Sequence, residues 1–316
     1  MKPEVMRDIL IGEIYNRMKE NGDIFFLSAD FGSPALDQLR EDFPERFINV
    51  GIAEQNLVSV AAGLGLEGKT VFAYAIAPFI TMRAFEQIRI SLALMAQTRE
   101  VNVNLIGVGA GLSYDVTGPT HHCLEDIALM RLLPNVGVIS PADSSLMREI
   151  ADYAIDSRKP CYIRLDGKAQ PRVYPEGGEP SFADGFGVLR SGQKTCLVST
   201  GYMTHVALEV ADLLKHEGTE IGVVDMFRLK DPDRGKLKGC LAGYRKLVTL
   251  EEGFIWRGGL DSLVASLDLD TQTPRQLHPV GFDDSYVFEV GDRKHLHEVA
   301  GLGVDAIAGQ VRHLNG

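Results

Sequence analysis

Along the chain, short unbroken apolar runs alternate with longer stretches in which apolar residues recur every three or four positions. "VMRDILIGEIYNRM" spaces Val5, Ile9, Ile14 and Met18 as one face of a helix, and "IFFLSAD" follows as a buried strand with polar residues at its carboxyl end. "RFINVG" and "TVFAYAI" read as further strands, with the helix "AEQNLVSVAAGLGLEG", closed by Gly68, between them. "ITMRAFEQIRISLALMAQ" has the length and period of one long helix. "VNVNLIGVG", "VGVIS" and "PCYIRLD" continue the strands, separated by the helical patterns "LEDIALMRLL" and "SSLMREIADYAI". This alternation predicts an α/β fold: a parallel sheet covered on both faces, over residues 1–170.

The run "GKAQPRVYPEGGEPSFADG" is rich in Gly, Pro and charge, so a linker is expected over residues 171–187. A second, smaller α/β unit is expected over residues 188–316. It opens with strand "TCLVSTG" and helix "MTHVALEVADLLKHEG", continues with strands "EIGVVDM" and "KLVTLEEG", and ends in a single helix "HLHEVAGLGVDAIAGQVRHL".

Composition narrows the partners. A length of 316 residues, 45% hydrophobic and 24% charged, suits two ordinary folded domains. The net charge of −11 argues against a broad nucleic-acid or membrane footprint, although a few arginines in one pocket can still hold a small anion. Cys123, Cys161, Cys196 and Cys240 form no CxxC pair, which favours buried free thiols over a zinc or redox site. The amino-terminal segment lacks the apolar run of a signal peptide, so a cytoplasmic location is expected.

In open parallel sheets, ligands bind beyond the carboxyl ends of the strands. Asp30 and Ser33 after "FFLSAD", Glu54 after "INVG", and "GPTHH" after "LIGVG" all fall at such ends. Taken singly, Asp30 and Glu54 also suit helix caps, and Phe79 suits a core as well as a platform for a flat heterocycle. "GVGAGLS" matches neither dinucleotide nor P-loop patterns and reads as a tight strand exit. His121 and His122 are too close together to bind one metal; one imidazole facing a substrate, with the other packing, fits better.

"NVGIAEQNLVSVAAGLGLEGKTVFA", "RAFEQIR", "GPTHHCLEDIALMRLLPNVGVISPAD" and "KPCYIRL" together resemble the transketolase family of thiamine-diphosphate enzymes, across essentially the whole chain. The resemblance implies a pyrimidine-binding domain followed by the family's C-terminal domain, and transfer of a two-carbon ketol unit between phosphorylated or otherwise anionic sugars. It implies that Glu54 hydrogen-bonds a ring nitrogen of the cofactor's aminopyrimidine and so activates it. Phe79, or by a one-residue shift Ile80, would pack on that ring, with Asp30 and Arg83 as further cofactor contacts. His121 would meet the substrate, while Arg7, Ser33 and Arg164 would hold the acceptor's phosphate. Two positions depart from the family pattern. Thr117 replaces an Asp and Gly109 replaces a His, with Tyr114 and Asp115 as candidates to substitute.

The family's GDG motif, which holds the diphosphate through Mg²⁺, does not occur in these 316 residues. The resemblance therefore implies a split enzyme: a second, diphosphate-binding subunit would carry the Mg²⁺, with no metal ligands in this chain, in an α2β2 assembly. The small-residue helix around Ala61, Ala62, Gly63 and Gly65 is the segment expected at that interface. The alternatives are half of another thiamine-diphosphate enzyme, such as deoxyxylulose-phosphate synthase or a 2-oxo acid dehydrogenase β subunit, and a non-catalytic paralogue.

Overall fold

The computed structural model describes residues 3–267 and 275–315. Six strands form a first sheet: β1 Ile24–Ser28, β2 Phe47–Asn49, β3 Thr70–Ile76, β4 Val103–Val108, β5 Gly137–Ile139 and β6 Cys161–Leu165. They run in the order β2-β1-β3-β4-β6-β5, and every pairing is parallel. The unbroken apolar runs of the inner strands follow from burial on both faces. Phe26, Phe72, Tyr74, Ile106 and Ile163 face the helices Met6–Glu20 and Met147–Asp156. Leu27, Ala73, Ala75 and Leu105 face the helix Glu54–Leu66 and the segment after β3.

Small residues let that second layer approach closely. Ala61, Ala62 and Gly65 are buried against this chain's own sheet, and a Cβ at Gly65 would sit 2.9 Å from Val103. Expected at a subunit interface, they belong instead to the internal core; only Gly63 of the four is exposed.

The single long helix expected after β3 is also corrected. Phe79–Arg83 and Ile88–Leu94 are wide π turns joined by the short helical turn Phe85–Gln87, and Met95–Gln97 is a 3₁₀ turn. Thr81 donates its hydroxyl to the Ala77 carbonyl at 2.7 Å at the start of the first π turn.

The second sheet has five strands: β7 Phe186–Arg190, β8 Thr195–Ser199, β9 Gly222–Met226, β10 Lys246–Phe254 and β11 Gln276–Phe282. Its order is β11-β10-β8-β9-β7, parallel except for β7. Both edge strands escaped the hydrophobic pattern. β7 follows directly on the linker-like run, and β11 carries Pro279, which an edge strand tolerates. The expected terminal helix divides at Gly301, whose φ of 72° ends Arg293–Val299 before Val304–Asn315 begins. One apolar cluster includes residues of both sheets. Across the joint, the Ser140 amide donates to the Phe227 carbonyl and the Leu229 amide to the Val138 carbonyl. Cys123, Cys161 and Cys196 are buried free thiols, and Cys240 is partly buried. Among the described residues, no helix is long and apolar enough to cross a membrane.

Candidate functional site

β1 lies between β2 and β3, so the chain leaves it in one direction and returns to its other side. That reversal opens a crevice at the carboxyl ends. Asp30 follows β1, Glu54 follows β2, Phe79 follows β3, and the loop with His121 follows β4.

Glu54 is delivered by a turn in which Asn49 accepts from the Gly51 amide at 2.9 Å, with Gly51 at φ 73°. It is the first residue of its helix, yet its carboxylate caps nothing. Among the described residues its one donor is Arg83, whose Nη1 reaches Oε2 at 2.6 Å. Glu54 is 3% exposed, whereas Arg83 is about half exposed. A buried carboxylate oriented by one arginine, with Oε1 left unpartnered by the protein, is a site that can accept an N–H from a ligand.

The π turn sets Phe79 beside Arg83, so the guanidinium lies 4.7 Å above the ring centroid. His121 meets the same ring edge-on at 5.2 Å. Glu54, Arg83, Phe79 and His121 are thus brought together from three separate loops. Phe79 is partly exposed, while Ile80 is fully buried in the core. Nδ1 of His121 lies 3.0 Å from the Thr120 hydroxyl. His122 packs inward, its Nε2 3.3 Å from the Asp115 carbonyl, and burial lowers its pKa. Asp30 is exposed at φ 55° and accepts from Asn49 at 2.8 Å, so it lines the rim.

Arg7 and Ser33 converge on one carboxylate. Arg7 Nε donates to Asp8 at 2.8 Å, and the Ser33 hydroxyl donates to the same oxygen at 3.1 Å. Tyr114 fills the space above Gly109, where any Cβ would collide with its ring. Burial pushes the Tyr114 hydroxyl up to about 12, although nearby Arg7 opposes the shift, so at neutral pH it remains a proton donor. The missing side chain at 109 is therefore replaced in volume by an aromatic from five residues on.

Arg164, expected to hold a phosphate, is placed elsewhere. It is 3% exposed and donates Nε to Asp126 at 2.8 Å, with Nη2 3.4 Å from the carbonyls of Cys123 and Glu252. Tyr162 donates to the same Asp126 oxygen at 2.7 Å. β6 is an inner strand whose end is covered by the second domain, so its arginine is enclosed in the joint, away from the rim. Lys168 was missed, because it stands in the run read as leading into a linker; it pairs with Asp115 at the base of the His121 loop.

Arg83 joins the two groups: it pairs with Glu54 and lies over the ring of Phe79, so a hydrogen-bonding carboxylate and an aromatic side chain stand together at this end of the sheet. Among the described residues no group of three or more His, Cys, Asp or Glu side chains is arranged to hold a metal ion.

Comparison with known proteins identifies the family. Residues 5–171 match the pyrimidine binding domain of transketolase, and residues 186–307 match the transketolase C-terminal domain. An apulose-4-phosphate transketolase subunit of Actinobacillus succinogenes is 34% identical, over 99% of both chains. A 6-deoxy-6-sulfo-D-fructose transketolase subunit of a Clostridium species is 29% identical, over 94% of this chain and 90% of its own. A solved split gene transketolase, an inactive β4 tetramer, superposes with a TM-score of 0.86 at 36% identity, over 98% of this chain and 97% of its own.

Proposed function

The chain belongs to the transketolase family, and on that premise we propose that it is the pyrimidine-binding subunit of a two-chain, thiamine-diphosphate-dependent transketolase acting on anionic sugars. Thiamine diphosphate, when bound, supplies the carbon nucleophile for breaking and remaking the carbon–carbon bond. The chain's own residues bind and orient it. Glu54, held by Arg83, presents a buried carboxyl group that would share a proton with the ring nitrogen, and Phe79 would give the ring an apolar neighbour. Asp30 closes the rim of the same crevice. His121, edge-on to Phe79, is positioned to donate to a substrate oxygen.

Arg7 with Ser33 takes the anionic end of the sugar, since a partly exposed guanidinium suits phosphate and sulfonate alike. Relatives named for a phosphorylated and a sulfonated sugar support that breadth. The diphosphate and its Mg²⁺ belong to a second subunit in an α2β2 assembly. Matches over nearly the full length of a split-gene β chain and of a named transketolase subunit support this division. Buried free thiols accord with work in the cytoplasm.

The cluster of Glu54, Arg83, Phe79 and His121 at the switch point carries the proposal. Glu54→Gln, assayed for ketol transfer in the assembled enzyme, is expected to lower kcat by roughly 10²–10⁴-fold. The thermal unfolding temperature should stay near that of the wild type. Near-normal turnover would remove Glu54 from the mechanism.

A further inference from the structure

The His121 loop is fastened from the second domain. It leaves β4 at Gly109 and returns at Cys123, and its neck is closed by paired backbone hydrogen bonds between Gly111 and Cys123 at 3.1 and 2.9 Å. The Gly111 backbone lies directly on the carboxylate of Glu252 in β10; any side chain there would collide with it. Beyond the neck, Asp115 accepts the backbone N–H of Arg293 at 2.8 Å and pairs with Lys168. It also accepts from the Val116 amide at 2.9 Å.

Arg293, at the start of the helix Arg293–Val299, is the hub of this joint. Its guanidinium bonds Glu252 twice, through Nε at 2.7 Å and through Nη2, and bonds Asp166 at the end of β6 through Nη1. One face rests 3.7 Å from the Tyr202 ring centroid. His297, one turn along, lies 2.7 Å from Glu252. Arg293, Glu252, Asp166 and His297 are all buried.

An ionic cluster this dry is a poor source of net stability, because desolvation consumes most of the Coulombic gain. Removing one member, however, leaves a buried charge unpaired, so the cluster holds together the segments it joins. Here those segments are the second domain and the loop that carries His121.

We propose that Arg293 is a positioning residue: its guanidinium, locked to Asp166 and Glu252, holds in place the backbone N–H that Asp115 accepts, and so fixes the loop from Gly109 to Cys123 with His121 against Phe79. The role of the second domain toward the reaction is then to set active-site geometry from behind. This rests on the proposed function only in assigning His121 to the substrate. The cofactor contacts Glu54, Phe79 and Arg83 leave other strands and are outside the fastening.

Two variants test it, Arg293→Lys and the milder Asp115→Asn, which leaves the buried guanidinium paired with Glu252 and Asp166. In the full chain, hydrogen exchange of peptides spanning residues 109–123 should rise roughly tenfold, with β8 and β10 changed by less than about twofold. In the assembled enzyme, kcat should fall on the order of tenfold or more as His121 is misplaced, while thiamine-diphosphate affinity changes by less than about twofold. Exchange that rises equally across the second sheet, or an unchanged kcat beside faster loop exchange, would overturn the positioning role. Should wild-type enzyme show no ketol transfer, the proposed function fails, yet the exchange pattern still decides whether Arg293 holds the loop.

Discussion

Arg164→Met separates a structural arginine from a substrate-binding one. Methionine keeps much of the volume and removes the charge. Asp126, fully buried, then loses its guanidinium at 2.8 Å and keeps the Tyr162 hydroxyl at 2.7 Å. Removing one member of a buried pair costs roughly 3–5 kcal/mol. The surviving tyrosine bond places this case at the lower end, about 3 kcal/mol. For a chain of this size each kcal/mol moves Tm by about 2–4 °C, so scanning calorimetry should record a fall of roughly 6–12 °C. Adding Asp126→Asn, which removes the stranded charge, should recover a large part of that loss, a non-additivity expected of contacting residues. A Tm unchanged to within about 1 °C, beside a raised acceptor KM, would refute this reasoning and restore Arg164 to the substrate pocket.

Two further outcomes follow from other parts of the molecule. Arg7→Ala should raise the KM for an anionic acceptor more than it lowers kcat, and an unchanged KM would reject Arg7 as the anion's partner. Asp225, buried beside Tyr174 and Thr204, is pushed up to about 7 by burial, against the lowering effect of their hydrogen bonds. Its raised value means the fold holds the proton that the unfolded chain has lost. The resulting stabilisation is full below about pH 4 and is lost as pH rises to about 7, at up to about 1.4 kcal/mol per pH unit. Asp225→Asn should abolish that slope, so urea unfolding should show the wild type losing its advantage over the variant between about pH 5 and pH 7. Parallel pH profiles would show that Asp225 does not titrate in this window.

The first sheet was legible because its inner strands are buried on both faces and read as apolar runs. The placing of Asp30, Glu54 and the His121 loop beyond strand ends was legible because polar residues collect where those runs end. Periodicity could not separate Phe79 from Ile80: they are adjacent positions of a π turn, one partly exposed and one buried, and an α-helical period does not describe that turn. Nor could it place Arg164. An arginine at a strand end looks the same whether solvent or another domain covers it, and the covering residue, Glu252, lies far along the chain. The edge strands β7 and β11 failed for a related reason, since a half-exposed strand with a proline or a neighbouring linker lacks a clean apolar run.

The most direct test is native mass spectrometry of the tagged chain purified from its source cells. A two-chain transketolase predicts a second protein in equal amount, carrying a GDG motif, together with bound thiamine diphosphate. This chain recovered alone and without cofactor, or catalysing ketol transfer by itself, would contradict that division of the active site.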